Sequence, residues 1–135
     1  MAQVYHYNNR PRVFTDASLP ATVVPNSATD MLTIDTKFLT RIYVHLTVAV
    51  AALTGFSIKI KANKNVLSTA VDTLYSVSAD FTLPKGLLVG SSGDLTIQGV
   101  GHGWFMMDVA GIDSVILNAT SGGTATLLIE AGGST

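Results

Sequence analysis

From Met31 onward, apolar and polar residues alternate along the chain with a period of two. In the run from Arg41 to Ala51, Ile42, Val44, Leu46, Val48 and Val50 point to one side of an extended chain, while Tyr43, His45, Thr47, Ala49 and Ala51 point to the other. That is a long strand with one strongly apolar face. After a break at Leu53-Thr54-Gly55, Phe56, Ile58, Ile60 and Ala62 alternate with Ser57, Lys59 and Lys61. This predicts a half-buried strand whose outward lysines discourage edge pairing. The two runs read as a hairpin. Ahead of them, Leu32 and Ile34 alternate with Thr33 and Asp35 in a shorter strand.

The last third of the chain predicts four short strands, over residues 95–99, 104–109, 114–120 and 124–130. Ala110-Gly111 and Ser121-Gly122-Gly123 separate the last three, and Ser91-Ser92-Gly93-Asp94 precedes the first. Residues 66–82 admit two readings. Val66, Leu67, Ala70, Val71, Leu74 and Val77 approximate a helical stripe, but Thr69, Thr73, Ser76 and Ser78 are weak helix formers and favour strand or loop. Pro84-Lys85-Gly86 marks a turn. Seven to nine short strands with glycine-rich turns, and no helical run long enough for parallel crossovers, predict an all-β fold. The expected architecture is a single-domain antiparallel β-sandwich over residues 31–135, jelly-roll-like, preceded by an extended N-terminal arm over residues 1–30.

The arm holds three of the four prolines, Pro11, Pro20 and Pro25, and sustains neither helical nor strand periodicity. Its Tyr5, Tyr7, Val13, Phe14, Val23 and Val24 are apolar groups that need a surface, unlike the composition of a disordered tail. That surface is either the arm's own domain or a neighbouring subunit.

Composition sharpens this picture. Of the 135 residues, 47% are hydrophobic and only 13% charged, about half of the ~25% usual in soluble domains. Sixteen Thr, eleven Ser and twelve Gly make the surface polar but neutral. So few charges protect a monomer poorly against association, which points to a protein that works assembled. The absence of Cys excludes a disulfide framework, a thiolate metal site and a cysteine nucleophile. The longest apolar stretch, Tyr43 to Leu53, is about half a membrane span and contains His45 and Thr47. The opening MAQVYHYNNRPR has no apolar h-region, so neither a signal peptide nor a membrane partner is expected.

Net charge is −1, divided as +4 over residues 1–64 and −5 over residues 65–135. The halves either interleave on folding or set a basic arm against an acidic face of a neighbour. Lys59, Lys61 and Lys64 are too few for a nucleic-acid patch.

Candidate chemistry is sparse. Gly99-Val100-Gly101-His102-Gly103 leads into an apparent strand rather than a helix, so it reads as a turn or bulge and not as a dinucleotide site. His6, His45, His102 and eight Asp show no local pairing of imidazole with carboxylate, and no GxSxG elbow is present. No catalytic residue, metal site or cofactor is expected, and the protein reads as a non-enzyme. His45 reads as a packed or interfacial imidazole. Trp104-Phe105-Met106-Met107 is different. On a strand, Trp104 and Met106 face opposite to Phe105 and Met107, so one pair fills the core and the other needs a cover. A lectin-like alternative makes Trp104 a sugar platform, although the sequence shows no polar or calcium cluster beside it. Asn118-Ala119-Thr120 matches a glycosylation sequon, which has meaning only in a secreted chain.

With its extended arm, cysteine-free β body and finish VAGIDSVILNATSGGTATLLIEAGG, the chain resembles small structural proteins of tailed bacteriophages, most of all capsid decoration or cement proteins. GIDSVILNATSGGTATLLIEAG is similar to the closing hairpin of many phage head and tail proteins. The resemblance covers most of the chain and transfers no individual residue. It implies a virion protein, assembled in the bacterial host cytoplasm, that clamps neighbouring capsid subunits and stabilises the shell. Partners would be capsid protein, or copies of itself as a dimer or trimer, met through Tyr5, Tyr7, Arg10, Arg12, Phe14, Trp104 and Met106. A phage tail subunit and a carbohydrate-binding β-sandwich module are the alternatives.

Overall fold

The computed structural model describes residues 13–62, 71–77, 90–91 and 99–135. These form nine strands: β1 (Val13–Val23), β2 (Thr29–Asp35), β3 (Arg41–Ala49), β4 (Leu53–Ala62), β5 (Val71–Val77), β6 (Gly90–Ser91), β7 (Gly101–Asp108), β8 (Ile112–Ser121) and β9 (Thr126–Ser134). All pairings are antiparallel. Sheet A has the order β1-β9-β3-β7-β6 and sheet B the order β2-β8-β4-β5. The chain changes sheet at almost every connection, which is the jelly-roll form of the expected β-sandwich. Residues 71–77 of the ambiguous middle are strand. The rest of residues 66–82, the Pro84-Lys85-Gly86 turn and residues 95–98 of the strand expected at 95–99 lie outside the described residues, and Gly99 is a bend.

Alternation set the strand faces as expected, but β3 and β4 are not a hairpin. They lie in opposite sheets, and Leu53 already belongs to β4. The physical reason is in the link. Val50-Ala51-Ala52 offers none of the Gly, Asn or Asp that a tight hairpin turn requires. Both strands also carry an apolar face that must be covered, and facing each other across the interior covers both. Val50 makes the crossing in the left-handed region, at φ 72°.

Of the segment expected as an arm, residues 13–23 are the edge strand of sheet A. β1 pairs with β9 from Val13 opposite Ser134 to Val23 opposite Thr126, with irregularities after Phe14 and Leu19. Pro20 fits this place, since an edge strand tolerates a missing N–H.

The core lies between the sheets. Sheet A contributes Ile42, Val44, Leu46 and Val48, with Phe105, Met107, Leu127 and Ile129; sheet B contributes Ile34, Phe56, Ile58, Val115, Leu117 and Ala119. All are buried. Each large side chain so covered is worth roughly 1.5–3 kcal/mol.

Crossing between sheets takes the backbone off its ladder, and buried side-chain hydroxyls take up the exposed polar groups. Thr36, 1% exposed, donates from Oγ1 to the Ile112 carbonyl at 2.6 Å, while its N–H donates to the Asp113 carbonyl at 3.0 Å. Ser121, 3% exposed, donates from Oγ to the Val24 carbonyl and accepts from the Gly123 N–H at 2.9 Å. On the outer face of sheet B, Lys59 Nζ lies 2.8 Å from Asp30 Oδ1, and Asn118 Nδ2 donates to the same oxygen at 2.7 Å. Strands β2, β8 and β4 are laced together there. The hydrogen bond from Lys59 first, and that from Asn118 second, hold the Asp30 carboxyl below its ordinary value.

Two outcomes follow from these contacts. Ser121→Ala strands the buried Val24 carbonyl and should cost about 1–3 kcal/mol in denaturant unfolding; an unchanged midpoint would remove the role assigned to this hydroxyl. Asp30→Asn should cost under about 1 kcal/mol at neutral pH, because the pair is half exposed. The Asp30 carboxyl is depressed in the folded state, so its contribution is full above the unfolded value of roughly 3.9 and is lost as pH falls through the lowered folded value. The stability gap between parent and Asp30→Asn should therefore close on acidification, and a gap independent of pH would refute the assignment.

Candidate functional site

Burying Phe105 and Met107 turns Trp104 and Met106 outward. Phe105 is 0% exposed and Met107 4%, whereas Trp104 keeps 40% of its surface open. The register of sheet A then decides their company. His45 on β3 lies opposite Trp104 on one side and Glu130 on the other, and Tyr43 lies between Met106 and Gly132. The three central strands thus carry a row Glu130, His45, Trp104 beside a row Gly132, Tyr43, Met106. With strands about 4.8 Å apart, the first row is roughly 10 Å wide.

These six residues line an open groove of about 350 Å³. Gly132 leaves bare backbone on the β9 side. The His102 ring lies 5.7 Å from that of His45, tilted by 36°. Beyond Tyr43, whose hydroxyl is 3.5 Å from Ser134 Oγ, Arg41 Nε donates to Asp108 Oδ1 at 3.1 Å. That pair is exposed and contributes little stability. The groove therefore offers indole, phenol and thioether surface beside a carboxylate that accepts hydrogen bonds and imidazoles that donate and accept them. Among the described residues, no group of three or more His, Asp or Glu side chains is placed to hold a metal ion.

Of the residues expected at a subunit interface, Trp104 and Met106 are brought together in this groove. Phe14 lies on β1 opposite Gly133. Tyr5, Tyr7, Arg10 and Arg12 lie outside the described residues. The glycine run 99–103 leads into and forms part of β7, with Gly103 buried opposite Leu46. Sequence reasoning missed Tyr43 and Glu130. Tyr43 shares the outward face of a legible strand with His45, which was a usable signal. Glu130, the chain's single glutamate, carried none.

Large apolar side chains outside the core gather elsewhere. Val23 (56% exposed), Val50 (73%) and Val100 (62%) lie at one end of sheet A, where Val23 and Ala49 both register with Thr126 and Val48 with Gly101. Phe38, 94% exposed and at φ 67°, lies at the opposite end, in the link before Arg41. That is the end at which the chain enters β1.

No protein-family model and no curated protein sequence matches the chain. Solved structures match its fold. The SPBc2 prophage-derived protein YomS aligns over 94% of this chain and 96% of its own, at 9% identity and TM-score 0.55. A protein of Bacillus endospore appendages, a family of disulfide-linked pili, aligns over 95% of this chain and 92% of its own, at 8% identity and TM-score 0.50. Pseudomonas aeruginosa AlgX matches 90% of this chain with 27% of its own length, at 8% identity and TM-score 0.52. At such identities the likeness is one of fold.

The opposed faces of β7 give a direct check. Phe105→Ala should cost about 3–5 kcal/mol. Trp104→Ala should cost under about 2 kcal/mol, since much of the indole is already in water. Equal or reversed losses in chemical denaturation would mean that β7 is set in the other register.

Proposed function

We propose that the protein is a non-enzymatic structural subunit of a phage particle, a decoration-type β-sandwich that clamps neighbouring capsid subunits and stabilises the shell. The observation that carries this reading is the placement of large apolar residues at opposite ends of sheet A: Val23, Val50 and Val100 at one, Phe38 at the other. A subunit that grips two neighbours needs two contact surfaces held apart by a rigid body. Val50 and Phe38 are also the described non-glycine residues with positive φ. Left-handed backbone at bulky exposed residues costs about 1–3 kcal/mol each and tends to mark sites where something other than folding selects the conformation.

The N-terminal segment supplies a further contact. β1 starts at the Phe38 end, and the residues ahead of it in the sequence include Tyr5, Tyr7, Arg10 and Arg12. β1 itself is an edge strand of eleven residues, with no strand among the described residues paired to its outer side, where another chain could pair main chain to main chain. Weak contacts at both ends add up through many copies on one lattice. The near end-to-end fold match with a prophage-derived protein, and with a protein of spore appendages that form pili, supports this reading at the level of fold.

The test is co-sedimentation of the purified chain with phage heads assembled without it. A chain lacking residues 1–12 keeps all of β1 and should fold with an unchanged melting profile, yet be retained on heads at least about tenfold less well. Val50→Asp, at the other end, should weaken retention similarly. Full retention of both variants, or no retention of the parent, would reject the clamp.

A further inference from the structure

Between the two apolar ends, the groove over β9, β3 and β7 carries chemistry that the clamp does not use. We propose that this groove binds neutral hexopyranose glycans, with Trp104 as the stacking platform and Glu130 as the acceptor for sugar hydroxyls. The inference is independent of attachment to a capsid.

A pyranose has two surfaces to satisfy, an apolar face of C–H groups and a rim of hydroxyls. The row Glu130, His45, Trp104 presents the matching pair across roughly 10 Å of sheet. The half-open indole at one end of the row is large and rigid, and Tyr43 and Met106 extend the apolar surface beside it. Glu130 and His45 then meet the rim. A carboxylate accepts two hydroxyls at once, and hydrogen bonds to a charged group are the strong ones. Groove volume, about 350 Å³, falls at the lower end of small-ligand sites, which are mostly apolar with a few placed polar groups.

The polar row also argues against a second protein as the occupant. Cores of protein interfaces are depleted in charge, and a dry partner surface would strand the Glu130 carboxylate and two exposed imidazoles. A hydroxyl-rich ligand satisfies all three. The same carboxylate selects against acidic sugars. Among the described residues no cation pairs with Glu130, and Arg41, in the groove's neighbourhood, is engaged by Asp108. A uronate or sialate would bring a second negative charge against Glu130 with no free lysine or arginine among the described groove residues to offset it.

Trp104 is the chain's only tryptophan, so its emission reports on the groove directly. The full chain is titrated with gluco-, manno- and galacto-oligosaccharides and, separately, with oligogalacturonate and sialyllactose, by fluorescence and by calorimetry. At least one neutral series should give a saturable shift in Trp104 emission, and both acidic probes should bind at least about tenfold more weakly. In calorimetry Trp104→Ala should abolish binding, Trp104→Phe should retain it within about tenfold, and Glu130→Gln should weaken it about tenfold or more. Melting curves check that each variant is folded. The chain lacking residues 1–12 and Val50→Asp should titrate like the parent, which separates this site from the clamp. The proposal is overturned if no neutral series binds at millimolar concentration, if an acidic probe binds best, or if sedimentation shows that Trp104→Ala dissociates a dimer, since a second copy would then cover the face.

Discussion

The packing of Phe105 and Met107 into the space between the sheets is the contact from which the arrangement of the outer surface follows. Side chains on a strand alternate, so committing these two residues to the interior commits Trp104 and Met106 to the exterior. β3 and β9 are bound by the same rule through Ile42, Val44, Leu46, Leu127 and Ile129. Three neighbouring strands, each locked by its own buried face, bring Tyr43, His45 and Glu130 into rows with the indole. A slip of one residue in β7 would bury the tryptophan and expose two core side chains, so the groove is as secure as the core.

The jelly-roll connections carry a second constraint. A chain that changes sheet at nearly every link leaves its backbone hydrogen-bond ladder each time, at the ends of the sandwich. Thr36 and Ser121 answer this with buried hydroxyls that take on the carbonyls of Ile112 and Val24. Such residues look unremarkable in a chain with sixteen Thr and eleven Ser. Their position at the crossings, rather than their chemistry, distinguishes them from exposed counterparts such as Thr22, whose hydroxyl merely donates to the Pro20 carbonyl nearby.

Period-two alternation made β3, β4 and β8 legible, because each has one face that must leave water. The all-β class and the sandwich followed from them. Alternation says which way a side chain points but not which sheet the strand joins, and for that reason β3 and β4 read as a hairpin when they are partners across the core. The site divides along the same line. Trp104 and Met106 could be picked out, since four bulky residues in a row cannot all face inward. Glu130 could not, because its relation to Trp104 exists only through β3, which pairs with both β7 and β9. A lectin-like reading therefore lacked its polar companions in the sequence, whereas in the folded sheet they stand in the same row.

Charge is scarce enough in this protein that its placement carries information. Arg41 with Asp108 joins the neighbouring strands β3 and β7 of sheet A, and Lys59 on β4 reaches across β8 to Asp30 on β2 in sheet B. Asp35 and Lys37 lie at the rim, where water solvates them at little cost. Glu130 differs from all of these in standing at mid-sheet with His45 beside it and Trp104 beyond. Replacing it with one of the Thr or Ser residues that cover the rest of the surface would forfeit no ion pair seen among the described residues. No ion pair or hydrogen bond seen among the described residues calls for a carboxylate there. A ligand rich in hydroxyls does, which links the neutral, charge-poor surface to recognition by shape and hydrogen bonding rather than by long-range attraction.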